Sequence, residues 1–187
     1  AADATLEVGE AAGGKITLDL SGLLAGTAEN SGSIDVASSS TTKGGSATIL
    51  GEQVAVSGTV DATGATGGGL VRIGGDYQGK NANLANAQST NISGTISADS
   101  SSNGDGGRII VWADGVTTFT GDLSATGSGS GSGGFAEVSG KNILNFEGSV
   151  DLTSASGLNG SLLLDPTNIS ISNVGSHTSI SGSTTLE

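Results

Sequence analysis

The residues able to do chemistry are few, and their spacing limits what they can do. His177 is the only histidine, in the serine-rich stretch GSHTS, and the chain has no cysteine. A triad or a zinc site needs a constellation of partners, so His177 reads as a structural or solvated side chain. Carboxylates clustered on one face of a repeating fold, with Lys or Arg nearby, would suit a polysaccharide lyase or hydrolase. Asp61, Asp122 and Asp151 are the candidates. Asp61 and Asp151 follow an apolar residue after a glycine, whereas Asp122 precedes one, so the three do not form a single row by sequence. Arg72 and Arg108 each come soon after a glycine pair. They either stack on one face or lie on a solvated edge. None of this forms an acid/base constellation, so no residue is assigned a catalytic, cofactor-binding or metal-binding role.

Other motifs are weighed in the same way. SSNGDGG (101–107) and GGDYQG (74–79) are similar to the calcium loops of nonapeptide β-rolls, which hold ions between tandem turns. Asp105 and Asp76 are in no such array and read as ordinary turn residues. GATGGG and GSGSGSGG lead into strands, whereas phosphate cradling needs a helix N-terminus. Flat threonine arrays can bind ice, but Thr17, Thr48, Thr59, Thr95 and Thr117 do not recur as Thr-x-Thr in each repeat. Trp112 adjoins an inward Val111, so alternation points it outward. There it either stacks on a sugar or partner or lies half-buried under a loop, the favoured reading.

The elements carrying these residues repeat. A glycine pair leads into a short apolar strand, a second short segment follows, and a glycine introduces a third. Gly106-Gly107 lead to Ile109 and Val111, then Val116 and Phe119, then Gly121 with Leu123 and Ala125. Gly133-Gly134 lead to Phe135 and Val138, then Ile143 and Phe146, then Gly148 with Val150 and Leu152. Earlier units show Ile16, Leu18 and Leu20 with Ile34 and Val36; Ala47, Ile49, Val54, Val56, Val60 and Ala62; and Leu70, Val71 and Ile73 with Ile92 and Ile96. A last unit has Leu162, Leu164, Ile169 and Ile171, with Pro166 at a turn. The closing glycines Gly32, Gly58, Gly94, Gly121 and Gly148 are 26, 36, 27 and 27 residues apart.

Three short strands and three turns at a fixed period predict an all-β chain, a right-handed parallel β-helix (β-solenoid) of about six coils. Stacked at about 4.8 Å per strand, these make a rod on the order of 30 Å long. Glycine suits the corners through positive φ or close backbone approach. The spacing of 36 marks an insertion over 75–90, polar and without alternation, expected to bulge as a loop from one face. The chain reads as a single segment, 1–187, with a tail over 173–187 that frays at its end. Leu186-Glu187 is set aside as vector-derived.

Composition agrees. Glycine, 34 of 187 residues, is about 18 per cent of the chain, more than twice average usage. Charged residues are 13% and aromatics 3%. The apolar residues keep a period of two, which a disordered tract has no reason to do. A net charge of −12 repels phosphate backbones and speaks against nucleic-acid binding. No apolar run reaches the ~20 residues of a transmembrane helix, so no membrane insertion is expected. The N-terminal AADATLEVGE lacks a basic and apolar leader pattern.

The segments GGLVRIGGDYQGKN, ISADSSSNGDGGRIIVWADGVTTFTGDLSATG, GGFAEVSGKN and SLLLDPTNISIS, in this order, resemble the large bacterial exoproteins related to filamentous haemagglutinin, exported by two-partner secretion. The resemblance spans roughly 40–172. It implies a right-handed parallel β-helix and an outer-membrane β-barrel transporter as the partner in secretion. It further implies an extracellular or cell-surface location and a role in adhesion or biofilm formation through a host-cell, glycan or bacterial surface ligand that it does not identify. The family's secretion domain carries Asn-Pro-Asn motifs and Pro166 is the only proline here, so a segment downstream of that domain is expected.

Overall fold

The structure, a computed structural model, describes residues 6–7, 14–20, 26–39, 41–165, 169–171, 180–181 and 183–186. It is a β-solenoid with three parallel sheets. Each coil contributes one strand to each sheet. Sheet I holds Lys15–Asp19, Ser46–Leu50, Leu70–Ile73, Arg108–Ala113, Phe135–Gly140, Ser161–Leu164 and Ser183–Leu186. Sheet II holds Thr27–Asn30, Gln53–Val56, Ser89–Ile92, Val116–Phe119, Ile143–Phe146 and Ile169–Ile171. Sheet III runs from Leu6–Glu7 through Ser33–Asp35, Thr59–Asp61, Thr95–Ser97, Asp122–Ser124 and Ser149–Asp151 to Ile180–Ser181. Lys15 to Asp151 make five complete coils. Ser161–Leu164, Ile169–Ile171 and Ile180–Ser181 add the strands of a sixth, and Ser183–Leu186 begins a seventh; the last two strands fall within the expected tail, and Leu186 pairs in register with Leu164. Pro166 and His177 lie outside the described residues.

The core is a set of aligned rows. In sheet III, Ile34, Val60, Ile96, Leu123 and Val150 stack in register. In sheet I, Ile49, Ile73, Val111 and Val138 do the same. All of these are buried. In sheet II, Phe119 lies on Phe146 with ring centroids 5.3 Å apart and planes 10° off parallel. Like side chains meet from coil to coil because a parallel register repeats the same inward position at each step.

Strict alternation corrects four expected inward positions. Phe135 and Val138 are three residues apart, as are Val116 and Phe119 and Ile143 and Phe146, so one of each pair must face out. Ala136 and Val138 point inward, and so do Thr117 and Phe119, and Leu144 and Phe146; Phe135 and Val116 are only partly buried, and Ile143 is 44% exposed. Leu70 likewise lies on the outer side of Val71. Thr117 therefore leaves the threonine array altogether. It is fully buried and its hydroxyl donates to the Ser139 carbonyl at 2.7 Å, as Thr90 donates to the Trp112 carbonyl at 2.7 Å. Each ties an inward threonine of sheet II to the sheet I strand of the next coil.

The closing glycines act through close approach. The Gly58 carbonyl accepts the Thr95 N–H at 3.0 Å, and the Gly94 carbonyl accepts the Asp122 N–H at 3.0 Å. That bond draws each carbonyl against the next coil's glycine. A Cβ on Gly94 would lie 1.9 Å from the Gly58 oxygen, and one on Gly121 would lie 2.1 Å from the Gly94 oxygen. The second glycine of each pair repeats this, with a Cβ on Gly107 placed 2.2 Å from the Gly69 oxygen.

Gly121→Ala is therefore expected to lower stability by at least about 2 kcal/mol, since backbone rather than a movable side chain must yield. Phe119→Ala is expected to cost about 3–5 kcal/mol. The exposed Asn145→Ala should stay within about 0.5 kcal/mol. Urea unfolding followed by circular dichroism measures all three.

Candidate functional site

The insertion joins sheet I to sheet II in the third coil, between Ile73 and Ser89, where the strand resumes within the stretch read as loop. It does not project. Gly74 (φ 75) and Gly75 (φ 157) turn the chain outward, and a single 3-10 turn, Tyr77–Gly79, curls it back. Asp76 caps that turn, its Oδ1 accepting the Tyr77 N–H at 2.8 Å. Gln78 has φ 52, the one positive φ outside glycine among the described residues. Such a conformation costs on the order of 1–3 kcal/mol and persists where surrounding contacts hold it.

Those contacts form a strap across the outer face of sheet I. The Gln78 N–H donates to both Glu137 carboxylate oxygens, each at 3.1 Å, and its side-chain amide donates to Asp165 Oδ2 at 3.2 Å. Gly79 lies against the Trp112 indole, so near that a Cβ there would be 2.5 Å from Cε2. The indole N–H donates to Asp114 Oδ1 at 3.0 Å. Asn86 donates to the same oxygen at 3.1 Å and to the Gly79 carbonyl at 3.0 Å. At the other margin the Arg108 guanidinium sits 4.5 Å from the Phe135 ring centroid and 5.0 Å from that of Tyr77. Arg72 pairs with Asp76 at 3.0 Å. The strap thus touches the third, fourth and fifth coils and the start of the sixth.

Beneath it, the outer row Ile110, Glu137 and Leu163 stacks in register, and all three are buried. Burial pushes the Glu137 carboxyl up to about 7. The Gln78 N–H and the Ser139 hydroxyl work downward, Asp165 adds upward and Arg108 downward. Burial also acts to raise Asp76, but the hydrogen bonds from Asn81, the Tyr77 N–H and Arg72, with the Arg72 charge, outweigh it and hold that carboxyl below its usual range. A cavity of about 330 Å³ opens beside the strap, with Lys80, Lys141, Asp114, Asp165 and Trp112 in its walls.

Trp112 is 4% exposed, under the loop as favoured and with its ring covered. Asp61 and Asp151 share one outer row of sheet III with Asp35, Ser97 and Ser124, while Asp122 belongs to the row of Thr59, Thr95 and Ser149. Asp61 and Asp151 are three coil steps apart, about 14 Å. Each accepts the backbone N–H two residues on, at 2.8 and 2.9 Å, as Asp35 does at 2.8 Å. Asp122 bonds the Ser149 hydroxyl. Asp105 accepts the Ser132 N–H at 2.7 Å across one coil step. Arg72 and Arg108 are on the outer side of the same sheet, two positions out of register. Thr59 and Thr95 are direct neighbours, but Thr48 is buried. Among the described residues, no three His, Cys, Asp or Glu are grouped to hold a metal, and no helix is long and apolar enough to cross a membrane.

Sequence reasoning missed Glu137, Gln78 and Asp165. One signal was present: RIIVWA and SLLL break alternation, and strands apolar on both sides are covered on both. No family model matches the chain, and no curated protein is similar to it.

Gly79→Val should prevent the strap from seating, because the side chain overlaps the indole and φ is 61. Trp112, the only tryptophan, is expected to emit at longer wavelength and to be quenched by acrylamide, with far-UV circular dichroism unchanged.

Proposed function

We propose that this chain is a structural and adhesive rod segment of a secreted or cell-surface bacterial exoprotein, working in adhesion or biofilm contacts without catalysis. One observation carries this reading: outside the strap, polar side chains brace the turns or join coil to coil. Asp99 accepts the Thr126 N–H and hydroxyl at 2.7 and 2.9 Å and the Ser124 hydroxyl at 2.8 Å; Asn103 accepts the Ser130 N–H at 3.0 Å. A surface built this way makes a stiff stack. Asp61, Asp122 and Asp151, on which a carbohydrate-active enzyme would draw, are engaged in turns and in coil-to-coil bonding. A cysteine-free chain whose coils contact near neighbours suits passage through an outer-membrane β-barrel partner and coil-by-coil folding outside. The ligand would be a host-cell, glycan or bacterial surface component meeting the exposed side of the strap.

A second reading is a passive spacer, favoured by the strap's lying flat. The two separate on strap residues that are exposed and leave its docking intact. The double variant Asn83→Ala, Gln88→Ala, with Trp112 emission unchanged, is expected to reduce attachment of immobilised protein to cells and to a glycan array by about tenfold or more. Unchanged attachment, or none in the wild type, favours the spacer.

A further inference from the structure

Among the described residues Glu137 is the only buried acid, and what encloses it is the one segment that departs from the coil plan. The enclosure is held at its tip by the Gln78 N–H on Glu137, beside the Gln78 side-chain amide on Asp165 and Asn86 on the Gly79 carbonyl. Its base is fastened separately: Ala87 N–H donates to the Gly74 carbonyl at 2.7 Å, and Gln88 N–H to the Glu52 carbonyl at 2.8 Å. Gly74 and Gly75 begin the strap in conformations other residues rarely adopt, so the turn 76–80 can swing on them without disturbing a strand. In the closed strap an ionised Glu137 has one backbone N–H and the Ser139 hydroxyl in place of water. A buried carboxylate needs fuller compensation than that.

The charged groups around it do not supply it. On the strap, Asp76 is paired with Arg72 and Lys80 Nζ donates to Gln78 Oε1 at 2.7 Å. Asp165, at the start of the sixth coil's turn, opposes ionisation. Arg108 favours it from the fourth coil, but its guanidinium is drawn against Phe135 and Tyr77. Asp114 and Lys141 line the cavity beyond Trp112.

We propose that the insertion is a proton-controlled latch, closed over Ile110 and Trp112 while Glu137 holds a proton and lifted when Glu137 ionises. The sign follows from the two states. With the strap closed the carboxyl is pushed up to about 7, and lifting the strap removes the burial that raises it and returns it toward its ordinary 4.5. Opening therefore becomes easier as pH rises from 4.5 to about 7 and levels off above. Lifting hydrates the carboxylate and uncovers Ile110 and Trp112 on the outer face of sheet I.

Amide hydrogen exchange on the intact chain reads the opening directly. After division by its intrinsic rate, exchange of the Gln78 N–H is expected to rise roughly fifty- to a hundredfold between pH 5 and 8 in the wild type. In Glu137→Gln, which keeps shape and acceptor but cannot ionise, it should stay flat. In Asp165→Asn, which removes the opposing charge, the rise should level off at lower pH. The amides of Ile109 and Val111 should not change in any of them. A flat wild-type profile, the same rise in Glu137→Gln, or a parallel rise in the coil amides, which would mean global loosening, overturns the latch.

Discussion

The structure depends on one hydrogen bond made at every coil step. A glycine carbonyl at the corner before sheet III accepts the N–H that follows the next coil's glycine, as from Thr95 to Gly58 and from Asp122 to Gly94. With the carbonyl held there, no Cβ fits on the glycine above it. The same contact recurs at the glycine pairs that lead into sheet I. These two ladders set the spacing of the stack, and the inward rows inherit their register from it. Since the strands of each coil pair only with those of adjacent coils, the length of the rod is free to vary while its cross-section is not.

Given that cross-section, extra chain can be added only at a corner, and the 75–88 segment is added at the one joining sheet I to sheet II. What it does there follows from the outer face it meets. Ile110, Trp112 and Leu163 give sheet I an apolar outer strip that would be poorly placed in water. The strap covers the Trp112 end of it and accepts a strained Gln78 to do so. Covering the strip also encloses Glu137, so the contact that hides apolar surface leaves a carboxyl short of hydrogen-bond donors. Apolar burial and charge solvation are in opposition at this single place.

That opposition bears on the functional reading. A rod needs only the ladders and the rows, and most polar groups serve them: Asp35, Asp61 and Asp151 brace turns, while Asp99, Asn103 and Asp105 tie coils together. The strap is spent differently. It adds little to the stack's continuity and presents Tyr77, Lys80 and Asn83 to solvent, which is why recognition is proposed there.

The glycine spacing and the alternation of apolar residues determined the coil plan by themselves: three strands per coil, the fourth and fifth coils, and the place of the insertion. These were legible because a parallel stack repeats one local pattern at one period, and local pattern is what a sequence displays. The facing of Phe135, Val116 and Ile143 was open to the same reasoning, since a spacing of three changes face. The path of the insertion was decided by tertiary structure alone. Gln78 and Glu137 are 59 residues apart, with nothing local to join them, and GGFAEVSG presents Glu137 as an ordinary outward acid. Its burial comes from a segment contributed two coils earlier, and only the folded stack brings the two together.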